Sequence, residues 1–72
     1  MASGLFDEML EEQGGKCKIC LLASDDFVID HNHRTGKIRG LLCRKCNSAL
    51  GMCNDDADVL LRAAHYLQAT EE

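Results

Sequence analysis

Cys17-x2-Cys20 and Cys43-x2-Cys46 enclose the string Asp30-His31-Asn32-His33, and Asn47 follows the last of these cysteines. Four thiolates in two CxxC pairs can hold one Zn²⁺ tetrahedrally. Their spacing, C-x2-C-x22-C-x2-C, leaves room for a whole hairpin between the pairs. The enclosed string offers a carboxylate and two imidazoles, and Asn47 offers an amide oxygen. Carboxylate and amide oxygens are hard donors that suit Mg²⁺ or Mn²⁺. Imidazole is the side chain that takes up a proton near neutral pH. Such residues are the parts of a catalytic metal site set beside a structural zinc site. Each part is weak alone. Strand histidines often pack or face solvent, and an asparagine after a cysteine is most often a cap or surface residue. Their occurrence inside one cysteine frame is what points to chemistry. Cys53, the odd cysteine, reads as a small apolar residue with no ligand role.

Several elements must position these groups. Ser3 to Gln13 reads as a helix capped by Ser3, with Leu5, Phe6, Met9 and Leu10 on one stripe. Gly14-Gly15 ends it with the positive φ that a helix C-terminus often needs. Lys16 to Leu22 is the first cysteine turn. Phe27-Val28-Ile29 begins a strand running toward His33, Arg34 to Lys37 turns, and Ile38 to Leu42 returns, which makes an antiparallel hairpin. Strand alternation puts His31 and His33 on one face and Asp30 and Asn32 on the other. For Asp30 and His31 to serve one site, the strand must twist or end there. Gly40 opposite is a place for a bulge that allows it. The second cysteine turn leads into a short helix that Gly51 ends. Asn54 or Asp55 caps a last helix reaching about Ala69, with Val59, Leu60, Ala63, Ala64 and Leu67 as its buried stripe.

Composition narrows the setting. Seventy-two residues make at most one domain. A chain this short buries only about 60% of its unfolded surface. Its aromatics are Phe6, Phe27 and Tyr66. A structural zinc, with an apparent binding free energy of about 10–16 kcal/mol, would make good a thin core. The acidic start of the chain does not resemble a signal peptide. A reducing, cytosolic setting then favours zinc thiolates over disulfides. No apolar run is long enough for a transmembrane helix. Net charge is −4, yet residues 16–45 carry seven lysines and arginines against three aspartates, a local +4. The remainder carries Arg62 against nine acids. Basic charge is therefore concentrated where the motifs lie. Arg34, Lys37, Arg39, Arg44 and Lys45 are candidate phosphate contacts without base readout. So few charges imply modest affinity from one copy, and a homodimer or larger assembly would hold a phosphate-bearing polymer more firmly.

The run from Gly14-Gly15 through Cys17-x2-Cys20, Asp30-His31-Asn32-His33-x-Thr35-Gly36-Lys37-Ile38-Arg39-Gly40-Leu41-Leu42-Cys43-x2-Cys46-Asn47 resembles the recombination endonuclease VII branch of the HNH, or ββα-metal, nucleases. Leu50-Gly51, Asp55-Asp56 and Tyr66-Leu67 extend the likeness, which covers roughly residues 13–67. The resemblance implies that Cys17, Cys20, Cys43 and Cys46 hold structural Zn²⁺. It implies that Asp30 and Asn47 hold a catalytic Mg²⁺ or Mn²⁺ and that His31 is the general base. His33 matches a second histidine of the family. Junction-resolving members carry long dimerising helices and a further C-terminal domain, whereas this sequence stops at Glu72.

The resulting expectation is an α+β fold, a small zinc-stapled ββα-metal (His-Me finger) domain with N- and C-terminal helices spanning residues 1–72. The expected function is metal-dependent DNA phosphodiester hydrolysis with little sequence specificity. An intracellular, phage-encoded protein is compatible with this. The competing expectation is a non-catalytic zinc module that binds nucleic acid or protein. It explains the cysteines and basic strip, but not why Asp30, His31 and Asn47 occur together.

Overall fold

The computed structural model describes residues 3–70. Its elements run α1 (Ser3–Glu12), β1 (Val28–His31), β2 (Ile38–Leu42), α2 (Arg44–Met52) and α3 (Ala57–Thr70). The described chain is thus a small α+β structure with three helices and one two-stranded sheet. The strands pair antiparallel, with Val28 opposite Leu42, Ile29 opposite Leu41 and Asp30 opposite Gly40. The register then jumps, and His31 faces Ile38. Arg39 is therefore the extra residue of a bulge. The expected bulge exists, one position before Gly40.

Gly40 has a different reason to be glycine. A Cβ there would lie 2.8 Å from Lys18 Cδ and 3.3 Å from Gln13 Oε1. The first cysteine turn and the end of α1 both cross β2 at this point. Gln13 fastens that crossing. Its Nε2 donates to the Leu41 carbonyl (3.0 Å), and its Oε1 accepts from the Leu41 N–H (2.9 Å). Together with the Lys18 N–H, which also donates to the Leu41 carbonyl (3.2 Å), this side chain supplies the partners that the free edge of a two-stranded sheet lacks. Gly14 and Gly15 follow with φ of 64° and 73°, the left-handed stop expected after α1.

The core is small and rich in sulfur. Cys17, Leu41, Leu42, Cys43 and Cys46 are buried, with Cys20, Phe27 and Leu50 packed around the cysteines. The helical stripes contribute less than their periodicity suggests. Leu5 is exposed, and Phe6, Met9 and Leu10 are half-buried. On α3, Val59 and Leu60 are half-buried, whereas Ala63, Ala64 and Leu67 are exposed. The expected buried stripe is therefore corrected. Amphipathic spacing reports which face could be covered, not whether this stretch of chain covers it.

Two boundaries also differ from expectation. Gly51 lies within α2, which continues to Met52 with Cys53 as its C-cap. The left-handed residues fall at Asn54 and Asp55, both with φ of 56°. The cap of α3 is Asp56, whose Oδ1 accepts from the N–H groups of Asp58 (2.9 Å) and Val59 (3.3 Å). The N-terminus of α2 is capped from a distance. Asp26 Oδ1 accepts from the Arg44 N–H at 3.2 Å and from the Ser24 hydroxyl. Among the described residues, no helix is long and apolar enough to cross a membrane.

Candidate metal and nuclease site

The first cysteine pair is held by a tight turn. The Cys17 N–H donates to the Leu22 carbonyl (2.9 Å), and the Leu21 N–H returns to Cys17 (3.0 Å). Leu21 itself is left-handed, with φ of 65°. The Ile19 N–H points at Cys17 Sγ, 3.4 Å away. The second pair spans the entry to α2, where the Asn47 N–H donates to the Cys43 carbonyl (3.0 Å). The two turns bring the Sγ atoms of Cys17, Cys20, Cys43 and Cys46 within 4.8 Å of one another. Cys20 and Cys43 sulfurs are 3.9 Å apart. Tetrahedral zinc with Zn–S bonds near 2.3 Å separates its sulfurs by about 3.8 Å. The cluster therefore fits zinc in both donor type and spacing.

Electrostatics points the same way. Burial works against the Cys17 thiolate, but N–H groups of Cys20, Cys43 and Ile19 and the Cys20 thiol outweigh it and lower the pKa to about 6. Burial pushes Cys46 the other way, to about 12, reinforced by the thiols of Cys43, Cys17 and Cys20 and by repulsion from Cys17. Four crowded sulfurs cannot all ionise unless a cation neutralises them.

The hairpin places the other candidates. Asp30 is buried. Its carboxylate receives two bonds from Arg39, Nε to Oδ2 at 2.6 Å and an Nη to Oδ1 at 3.1 Å. In a regular strand, Arg39 would project away from the face shared by Asp30 and Gly40, and the bulge brings it to Asp30. The same Nη lies 3.4 Å from Asp55 Oδ2. The hydrogen bond to Asp30 is the chief cause of a raised Arg39 pKa. Burial opposes it, and the charges of Asp30 and Asp55 add to it.

His31 and His33 are exposed and stacked, with ring centroids 5.1 Å apart and planes 9° from parallel. The expected strand running to His33 is corrected: β1 ends at His31, and the turn that follows brings the His33 ring beside it. His33 Nε2 stands 3.9 Å from Asp55 Oδ2. A contact chain thus runs Asp30–Arg39–Asp55–His33, with His31 stacked on its end. Asn32 shapes the turn, its Oδ1 accepting from the N–H groups of Arg34 (2.8 Å) and Thr35 (3.1 Å). Asn47 lies half-buried in the first turn of α2, directly after Cys46. Arg34, Lys37, Arg44 and Lys45 are exposed, while the Arg39 guanidinium is engaged with the two aspartates.

Two recesses flank Arg39. One, of about 440 Å³, lies between the hairpin turn and the α2–α3 corner, with His33, Arg34, Arg39 and Asp55 in its wall. The other, of about 260 Å³, has Asp30, Arg39, Gly40 and Leu50 in its wall. Sequence reasoning gave Asp55 only a capping role. The adjacent pair Asn54-Asp55 was the available signal, since Asn and Asp tolerate the left-handed region better than most residues.

A short α+β fold with a four-cysteine, zinc-compatible cluster beneath an Asp-His-Asn-His hairpin defines a small metal-binding class of domain. The chain belongs to the recombination endonuclease VII family, whose model matches residues 3–69. It is 45% identical over 62 residues to the Gene 59 protein of Mycobacterium phage D29, a match covering 81% of this chain and 38% of that protein. It is 42% identical over 64 residues to the Gene 59 protein of Mycobacterium phage L5, covering 83% and 39% respectively. The chain therefore spans about two-fifths of these curated relatives' length. No solved structure matches it. Family membership suggests a nuclease-type function.

Proposed function

We propose that this chain is a zinc-stapled ββα-metal nuclease domain that hydrolyses DNA phosphodiesters with a divalent cation. The observation that carries the reading is the buried Asp30 beside the stacked pair His31 and His33, on a hairpin that leads through Cys43 directly into α2. Asp30 and Asn47 would hold Mg²⁺ or Mn²⁺, which when bound would neutralise charge developing on the phosphate and the leaving oxygen. His31 accepts the proton of the attacking water on a ring nitrogen. Stacking on His33 restricts how the His31 ring can turn. Cys17, Cys20, Cys43 and Cys46 hold zinc and fix the start of α2, and so the backbone of Asn47. Arg34, Lys37, Arg44 and Lys45 grip phosphates without reading bases, while Arg39 pairs with Asp30 and Asp55. A second copy or a larger assembly strengthens that grip.

Supercoiled plasmid incubated with Mg²⁺, Mn²⁺ or chelator tests this reading. His31→Ala is expected to lower cleavage by roughly 10²–10⁴ while retaining zinc and the parent melting temperature. If His31→Ala cuts at the parent rate, the base assignment is wrong, and His33 is next to test. One observation favours the non-catalytic zinc module as a second reading. Both Asp30 oxygens are already taken by Arg39, which satisfies the buried carboxylate without a second metal. Absence of cleavage with every divalent ion, in a folded zinc-loaded protein, would select that module.

A further inference from the structure

We infer that Asp55 is a positioning residue that offers Arg39 a second seat, so that Asp30 can exchange its arginine for a divalent cation. The inference rests on the reading of Asp30 as a metal ligand. The Asp30 side chain is only 6% exposed, and a buried carboxylate is unfavourable without a cation beside it. Arg39 fills that role through both oxygens. Each carboxylate oxygen keeps a second lone pair, but a divalent ion bound there stands close to the guanidinium, and the two cations repel. That repulsion favours Arg39 yielding at least one oxygen when metal enters.

The surroundings allow that movement and limit it. The Arg39 carbonyl accepts from Lys18 Nζ at 3.4 Å, and Gly40 is wedged under Lys18 and Gln13, so the backbone is held. The side chain is freer, at 36% exposed. One of its nitrogens already stands 3.4 Å from Asp55 Oδ2. Asp55 is anchored at the α2–α3 corner, where its N–H donates to the Leu50 carbonyl at 2.8 Å. Arg39 also forms part of the wall of both recesses. A swing toward Asp55 clears the recess that Asp30 faces and leaves the positive charge beside His33 and Arg34. Arg39 then stands where a phosphate on the larger recess would meet it.

Mn²⁺ binding to the zinc-loaded full chain, followed by calorimetry, tests the exchange together with NMR of the Arg39 Nε–H. Asp30→Asn should abolish the Mn²⁺ site. If it does not, Asp30 is no ligand, and both the parent reading and this inference fall. Arg39→Lys should tighten Mn²⁺ binding about tenfold, because two charged hydrogen bonds no longer compete. Arg39→Gln repeats the test without a charge, with zinc content and melting temperature reporting whether the fold survives. Asp55→Asn should weaken Mn²⁺ binding by a similar factor in the parent and leave it unchanged in the Arg39→Gln background. That loss of effect separates a seat for Arg39 from a general field of negative charge. In the parent, Mg²⁺ should shift the Arg39 Nε–H resonance from its Asp30-bonded position. If Asp30→Asn abolishes Mn²⁺ binding but Asp55→Asn acts equally with and without Arg39, or the resonance stays fixed at saturating Mg²⁺, the exchange is wrong while the ligand assignment stands.

Discussion

The cysteine frame with its hairpin and the terminal helix α3 are two contrasting regions of one short chain. In the frame, Cys17, Leu41, Leu42, Cys43 and Cys46 are buried, and Gln13 closes a sheet edge with paired hydrogen bonds. In α3, Leu61 is 57% and Tyr66 is 68% exposed. α3 packs extensively against no other described element. Both regions carry apolar residues at regular spacing. Only the first places several groups of different kinds around a common centre. Periodicity supplies a face, whereas thiolates, edge amides and a glycine under a crossing chain supply an arrangement with one solution. The candidate chemistry lies in the region with one solution.

The largest expected effect breaks the frame itself. Removing zinc with a strong chelator, or substituting Cys46→Ser, is expected to unfold the protein. Zinc binding worth an apparent 10–16 kcal/mol, at about neutral pH, rivals the whole stability of a small domain. Circular dichroism and elemental analysis check this, and a folded zinc-free protein would overturn it. Zinc affinity should rise with pH. Cys46, pushed up to about 12, must release a proton on binding, whereas Cys17, lowered to about 6, is already ionised at neutral pH. The Cys17 thiolate also favours the metal-free fold. That contribution is complete above the ordinary thiol value of 9.0 and is lost as pH falls through about 6. Competition with a chromophoric chelator should therefore show affinity falling more steeply below about pH 6, and a pH-independent affinity contradicts this.

Next comes the edge clamp. Gln13→Ala leaves the N–H of fully buried Leu41 without that partner, while the Leu41 carbonyl keeps the Lys18 N–H at 3.2 Å. A loss of about 2–3 kcal/mol is expected, read by urea unfolding. A change under half a kcal/mol would show that water replaces the clamp freely. Gly40→Ala should cost about 1–2 kcal/mol, less because the Lys18 side chain can move aside. A stability equal to the parent would mean that the crossing is loose. The smallest effect belongs to α3. Leu61→Ala should change stability by no more than about 0.5 kcal/mol, since it lies on an open face. A loss several times larger would show that α3 is covered in solution and would erase the contrast between the regions.

Residue types and spacing alone were enough for the cluster of four sulfurs that could hold zinc, the hairpin from Val28 to Leu42 and the glycine stop after α1. Each is a local rule. CxxC turns present two sulfurs together, β-branched runs extend, and paired glycines accept positive φ. Strand alternation does not account for the stacked His31 and His33, because β1 ends at His31 and the turn carries His33 back beside it. Tertiary structure decided the rest. It set the bulge at Arg39, and with it the pairing of Asp30 to an arginine that charge counting assigned to phosphate. It moved the cap of α3 to Asp56 and thereby turned Asp55 toward Arg39 and His33. It made Gln13, a nondescript residue at a helix end, the partner of Leu41, 28 positions away. Those outcomes depend on which chain segments cross in space. Sequence spacing reports how a residue relates to its neighbours along the chain. A buried carboxylate takes whichever cation the crossing brings within reach.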